Sequence, residues 1–243
     1  MHPRPDSLGN TLMVRDLGNS VPYVDGLALQ EACAEERRAD NAPDTLLLLE
    51  HTPVFTLGRN ANSSHVLLDE AARAARGVGL EQTARGGDVT YHGPGQIVGY
   101  PIFRIGKEPN RILPYVSAIE DALLRAVAVF GIEAQRDRRN RGIWVGNAKL
   151  AAIGVRVSGG VTTHGFAWNV TTDLTYYEGI VPCGLQDAGV TSLAKLLPVA
   201  PPMNVVKSAV VEAFAAVFAF PKVYWSSRSD AGPPSVPYLS SVS

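Results

Sequence analysis

The sequence predicts an α+β fold. Short β-prone runs outnumber helical stretches, and two consecutive runs meet at a tight Gly146-Asn147 turn. The regular strand–helix alternation of a doubly wound parallel sheet is missing. Residues 11–17 alternate weakly and read as a first strand. Residues 23–37 carry Val24, Leu27, Ala28, Ala32 and Cys33 at helical spacing, which predicts an amphipathic helix with that apolar stripe. A polar linker over 39–44 leads to a continuous apolar strand at 45–50 and a second at 54–57. A loop and short helix fill 64–76, and 78–83 reads as strand.

A glycine-rich loop occupies 85–96, followed by a strand over 97–102. The clearest helix is 114–130: Ile119, Leu123, Val127 and Phe130 share one face, Pro114 suits its first turn and Gly131 its stop. Residues 142–145 and 149–155 form a hairpin around Gly146-Asn147, and 163–171 is another strand. A second long helix covers 205–218, with Asn204 as its expected N-cap. After Pro221 serine and proline accumulate. The organisation read from this is a single domain over 1–225 and a loosely ordered tail over 226–243.

The chain has 243 residues, 46% apolar and 19% charged, enough to bury a core without covalent staples. Cys33 and Cys183 are its two cysteines, too few for a disulfide framework, which favours a reducing compartment. The formal net charge of -1 gives no reason to expect nucleic acid as partner. Residues 1–10 lack the apolar stretch of a signal peptide, and no apolar run approaches a membrane span. These features read as a cytoplasmic protein with no membrane or nucleic-acid partner. Basic residues divide into seventeen arginines and five lysines, so each lysine asks for a reason.

Cys183 sits in Pro182-Cys183-Gly184, a tight turn that presents a side chain, although a half-buried structural cysteine fits as well. A nucleophilic thiol also needs help to ionise near neutrality. Lys149 heads the apolar strand Lys149-Leu150-Ala151-Ala152-Ile153-Gly154, either as that activating group or as a lysine reaching out from a strand end. Cys33 lies on the first helix's apolar stripe and reads as a buried inert thiol.

The string Arg85-Gly86-Gly87-Asp88-Val89-Thr90-Tyr91-His92-Gly93-Pro94-Gly95-Gln96 is neither a P-loop nor a dinucleotide fingerprint. It is a long solvent loop or a close backbone approach to a ligand. The five histidines show no metal-ligand spacing, so no metal is expected. In Thr163-His164-Gly165-Phe166-Ala167-Trp168-Asn169, Gly165 and Ala167 either open space for an apolar guest or allow tight packing. Arg136, Arg138, Arg139 and Arg141 form a solvated face or a dock for an acidic protein.

Together, 85–96, 149–154, 163–169 and 182–184 resemble the octanoyltransferases of lipoate biosynthesis, which move an octanoyl group from acyl-carrier protein to protein. The resemblance implies the fold of the catalytic domain of biotin and lipoate protein ligases, a mixed or antiparallel sheet flanked by helices. It places the family's acyl-thioester cysteine on Cys183 and its partner lysine on Lys149. Its substrate-contacting segments fall on Arg85, Gly86, Gly87, Asp88, Val89, Thr90, Tyr91 and His92. They continue on Ala152, Ile153 and Gly154, and on Gly165, Phe166 and Ala167. Leu150 and Trp168 depart from the family's common residues.

The implied donor is octanoyl-acyl-carrier protein. The implied acceptors are lipoyl domains of 2-oxoacid dehydrogenase complexes and the glycine cleavage H protein, with no cofactor. An ATP-dependent lipoate or biotin ligase of the same fold is the alternative, but adenylate chemistry needs no thiol. A non-enzymatic module that docks carrier or lipoyl domains predicts binding without a covalent intermediate, and a hydrolase predicts free fatty acid as product.

Overall fold

A computed structural model describes residues 11–181 and 188–226. Along the chain run β1 (Thr11–Asp16), α1 (Tyr23–Arg38), β2 (Asp44–Leu49) and β3 (Val54–Leu57). Then come α2 (Glu70–Ala75), β4 (Gly79–Gln82), β5 (Val89–His92), β6 (Gln96–Ile102) and α3 (Ile112–Ala128). The second half holds β7 (Gln135–Arg136), β8 (Gly142–Val145), β9 (Ala148–Ser158), β10 (Val161–Asn169) and β11 (Gly189–Val190). It ends with α4 (Leu193–Leu196), α5 (Met203–Val217) and β12 (Lys222–Ser226).

The main sheet has the order β12-β1-β2-β6-β10-β9-β8-β7, with β11 beside β9. It is mixed: β1 runs parallel to β12 and β2, whereas β2, β6, β10, β9, β8 and β7 pair antiparallel in turn. The α+β class is therefore the one observed. β2 is wholly buried because both its faces are covered. Leu46 and Leu48 join the core with α3 and α5, while Leu47 and Leu49 join the cluster that holds Ala34 of α1. This two-residue alternation is what strand geometry dictates. A smaller sheet, β4-β3-β5, closes over a third cluster of Phe55, Val78, Val89, Tyr91, Tyr177 and Ile180.

Four local expectations need correction. α1 buries Tyr23, Gly26, Gln30, Ala34 and Arg37, so its inner face is rotated from the expected stripe, and Val24 is exposed. Two of the buried positions are polar because they satisfy backbone and carboxylate groups: Gln30 accepts from the His164 amide, and Arg37 pairs with Asp44. Val89–His92 is a buried strand paired antiparallel with β3, not part of a loop. The N-cap of α5 is Pro202, and Asn204 lies within the first turn. Residues 222–226 are an edge strand whose Val-Tyr-Trp run has strong β preference. The expected tail starts at the last residue of this strand, and 227–243 lie outside the described residues.

Candidate active site

The glycine loop is held across β9 by its own backbone. The Gly86 amide donates to the Val155 carbonyl at 3.0 Å. A Cβ on Gly154 would lie 2.9 Å from the Gly86 carbonyl oxygen, so the crossing requires glycine there. Arg85 braces the loop from inside, donating to the Thr56 carbonyl (2.6 Å) and hydroxyl (2.8 Å). Asp88 braces it from outside, accepting from the Asn62 amide at 3.2 Å and engaging His65.

Beneath this loop lies a narrow cavity of about 50 Å³. Arg85, Gly86, Gly87 and Asp88 form one wall with Val89, Thr90 and His92 of β5. Ala152, Ile153 and Gly154 of β9, with Gly165, Phe166 and Ala167 of β10, form the floor. Tyr23, Val98, Tyr100, Asn140 and His164, none of them expected from the sequence as site residues, complete it. Every residue of the three expected substrate segments borders the cavity except Tyr91. The alternation of β5 turns Tyr91 the other way, stacked on Tyr176 at 4.7 Å in the third cluster. Gly165 is there for packing, since a Cβ would lie 2.2 Å from the Gly99 carbonyl oxygen. Trp168 belongs to the core on the α3 side, against Phe130, and does not narrow the cavity. A separate pocket of about 350 Å³ beside Phe103, Tyr115 and Phe218 shares no residue with it.

Neutral imidazoles border the cavity at His92 and His164, and His51 stands behind, its ring centroid 5.8 Å from that of His92. His51 meets the Val21 carbonyl through Nδ1 (2.9 Å) and Tyr100 Oη through Nε2 (2.6 Å). A carbonyl only accepts, so Nδ1 carries the proton and Tyr100 donates to Nε2. By the same logic Gln96 spends its amide hydrogens on the Tyr91 carbonyl and Asn169 Oδ1, so its Oε1 accepts from His92 Nδ1 at 2.8 Å. His164 holds φ at 58°, unusual for a side-chain-bearing residue, and neither ring nitrogen has a hydrogen-bond partner among the described residues.

Burial lowers the pKa of His51 to about 4, against a small opposing effect from the Val21 carbonyl. Burial, then the Arg85 and Arg156 charges, lowers that of His164 to about 4 as well. Burial, with His51 and Arg85, holds His92 well below the ordinary value. The unfolded chain therefore takes up protons that the native state refuses as pH falls from 6.5 to about 4. Stability is complete above pH 6.5 and is lost through that window, by about 3 kcal/mol for each of His51 and His164 at the acid end. Urea midpoints measured against pH should show this slope, and His51→Gln should flatten it. An unchanged slope in that variant would remove His51 from the account.

Lys149 is 6% exposed. Its ammonium donates to Asn140 Oδ1 at 2.9 Å and lies 4.9 Å from the Trp144 ring centroid. It borders a small recess with Asn169, Tyr177 and Val190 that meets the main cavity at Thr90 and Ala152. The strand-end lysine is thus buried instead of reaching into solvent. Cys183 lies outside the described residues. On its flanks, the Val181 amide bonds the His65 carbonyl at 2.8 Å, and β11 pairs Val190 with Lys149. Cys33 is half-buried against the α1 cluster, 3.6 Å from Arg15 Nη1, and burial pushes its thiol pKa up.

The arginine cluster is largely committed. Arg136 and Arg141 pair with Glu120, and Arg139 with Asp137. Among the described residues, Arg138 is exposed with neither an ion pair nor a hydrogen bond. It rims an open groove of about 630 Å³ that shares Gly86, Gly87, Asn140, Ile153 and Gly154 with the cavity. Arg138→Ala should raise KM for acidic protein substrates and flatten its salt dependence more than Arg136→Ala does. Equal salt slopes in wild type and variant would make Arg138 an ordinary solvated residue.

The fold is that of the lipoate-protein ligases. Lipoate-protein ligase A, in its structure bound with ATP, matches with a TM-score of 0.70 at 14% identity, covering 90% of this chain and 89% of that one. At that identity the likeness concerns fold alone. Residues 22–215 match the lipoyl protein ligase A/B catalytic domain. An octanoyltransferase of Chloroflexus aggregans is 46% identical over 211 residues, 86% of this chain and 95% of that protein. One of Myxococcus xanthus is 44% identical over 231 residues, 93% of this chain, which spans 63% of that longer protein. The chain belongs to the lipoyl protein ligase A/B catalytic domain family and, within it, to the octanoyltransferases, and so is an acyltransferase.

Proposed function

We propose that this protein transfers an octanoyl group from octanoyl-acyl-carrier protein to a lysine of a lipoyl domain, through an acyl thioester on Cys183. This is the first step of endogenous lipoate synthesis, with 2-oxoacid dehydrogenase complexes and the glycine cleavage H protein as acceptors. The observation that carries the reading is the buried Lys149 ammonium, which lines a recess that meets the cavity under the glycine loop at Thr90 and Ala152.

The chemistry balances without a cofactor. The Cys183 thiolate attacks the thioester carbonyl carbon. The tetrahedral intermediate collapses, and the carrier's sulfur leaves and takes a proton from the Lys149 ammonium. The acceptor amine then attacks the enzyme thioester and passes a proton to the now neutral Lys149 amine as the Cys183 thiolate departs, leaving an amide and restoring the ammonium and thiolate. Exchange of thioester for thioester is near thermoneutral and thioester to amide is downhill, so ATP has no role. His92, neutral and committed through Nδ1 to Gln96, shapes the acyl wall and does not serve as the thiol's base. Arg85, the loop glycines, Ala152 to Gly154 and Gly165 to Ala167 are proposed to line the acyl chain's path, while Tyr91 supports β5 from behind.

No helix among the described residues is long and apolar enough to cross a membrane. A cytoplasmic site of action is part of the proposal, since carrier and acceptors are met there. The test is transfer of octanoate from carrier protein to an isolated lipoyl domain with ATP omitted. Amide formation supports the reading. Activity only with free acid and ATP would assign the chain to ligase chemistry, and free octanoate as main product would make it a hydrolase.

A further inference from the structure

β9 outruns its neighbour in the sheet. The β8 register ends with Gly142 opposite Ala152, whereas β9 continues to Ser158. Among the described residues, no strand pairs with this side of 153–158. The glycine loop crosses the edge where the Gly86 amide donates to the Val155 carbonyl. In a strand the amide and carbonyl of one residue face the same neighbour, so the Val155 N–H points to this edge as well. Ile153, Gly154 and Val155 open here on the groove of about 630 Å³. Ile112 and Val116 of α3 add apolar surface to it. Because Gly86, Gly87, Ile153 and Gly154 line both, the groove is continuous with the cavity under the glycine loop.

The charge around the groove is one-sided. Among the described residues, three arginines and one carboxylate line it. Asp137, that carboxylate, is paired with Arg139, and Arg141 is paired with Glu120 of α3. Arg138 is exposed, so the groove favours an anion.

We propose that the edge of β9 at 153–155 takes the phosphopantetheine arm of the acyl donor as a short added strand, with Arg138 meeting its phosphodiester. The inference rests on the proposed carrier-protein donor and names how that donor is held. A strand edge is completed by a chain that brings amide groups to it. The arm is such a chain: thin, extended, with secondary amides between its thioester end and its phosphate. The acceptor's lysine side chain has no amide to offer the edge and would bring a positive charge toward the arginines. The body of a folded carrier is too large for this groove, whereas its arm is not.

Two measurements on the full chain test this. In the first, amide hydrogen exchange is followed by NMR with and without phosphopantetheine, the free arm. The Val155 amide should exchange more slowly when the arm is bound, on the order of tenfold. In the second, kcat/KM is compared for the octanoyl thioesters of phosphopantetheine, of pantetheine, and of mercaptoethanol, which has no amide. Wild type should prefer the phosphorylated arm over pantetheine about fivefold, the upper range for an exposed ion pair. Arg138→Ala should erase that preference and Arg138→Lys should keep part of it. Pantetheine should in turn outperform mercaptoethanol. Unchanged Val155 exchange at phosphopantetheine concentrations that inhibit transfer, or equal kcat/KM for all the thioesters, overturns the arm site while octanoyl transfer stands. A phosphate preference that survives Arg138→Ala overturns the assignment of Arg138. Protection of Val155 by an isolated lipoyl domain, but not by the arm, overturns the proposal by giving the edge to the acceptor. A Val155 amide protected by the arm, in a chain that moves no octanoate from carrier protein, keeps the arm site and overturns the transfer reading instead.

Discussion

Replacing Cys183 with alanine is expected to abolish transfer and the covalent intermediate together, the largest single effect predicted for this protein. Incubating the wild-type chain with octanoyl-carrier protein and no acceptor should add one octanoyl mass. That mass should map to the peptide around Pro182-Cys183-Gly184 and disappear on adding a lipoyl domain. Removing a nucleophile closes the two-step path, and the direct attack of an amine on the carrier thioester is left without catalysis by the enzyme. Cys33 supplies the internal control. Burial pushes its thiol toward the protonated, unreactive form, and the Arg15 guanidinium beside it only partly opposes this. Cys33→Ala should therefore keep full turnover. An adduct on Cys33, or undiminished transfer by Cys183→Ala, would sink the acyl-enzyme mechanism.

The second large effect is expected at Lys149. An ammonium close to a thiol favours the thiolate, so Lys149→Ala should move iodoacetamide alkylation of Cys183 to higher pH, by about one to two pH units. That corresponds to roughly 1.4 to 2.7 kcal/mol between the two protonation states. Desolvation opposes the charge pair, since burial favours the neutral thiol and the neutral amine. The pair prevails only where the groups are close. Turnover should fall further than alkylation, on the order of a hundredfold or more, because proton delivery to the leaving sulfur is lost as well. Lys149→Arg separates the two functions. Guanidinium keeps the charge but does not release its proton, so alkylation should survive in part while transfer does not. Coincident pH profiles for wild type and Lys149→Ala would assign thiol activation to another group.

Much of this was legible in the linear chain because it depends on near neighbours. The strand pattern, the 114–130 helix and the Gly146-Asn147 hairpin follow from side-chain period and turn chemistry, and the fold class follows from them. Four ordered motifs were enough to indicate the family, since glycines and small residues are demanded wherever backbones cross closely. Gly154 against Gly86 is such a crossing. The β5 strand was hidden because its flanking glycines mark turns on both sides, and pairing with β3 decides its conformation.

Other features belonged to tertiary structure alone. The inner face of α1 is set by what Gln30 and Arg37 must satisfy, a His164 amide and an Asp44 carboxylate, and no local periodicity reports such distant partners. Residues 136–141 read as a solvated arginine face or a docking patch. Folding commits most of them to Glu120 and Asp137 and leaves Asn140, an unremarked neutral residue, bonded to Lys149. The sequence determined which residue types were present to do acyl chemistry. Only the three-dimensional fold decided that Lys149 is buried against a neutral amide and an indole, and that Tyr91 faces away from the cavity its neighbours line. The reason is physical: composition and spacing encode local conformation, whereas burial, desolvation and charge proximity depend on residues that only folding brings together.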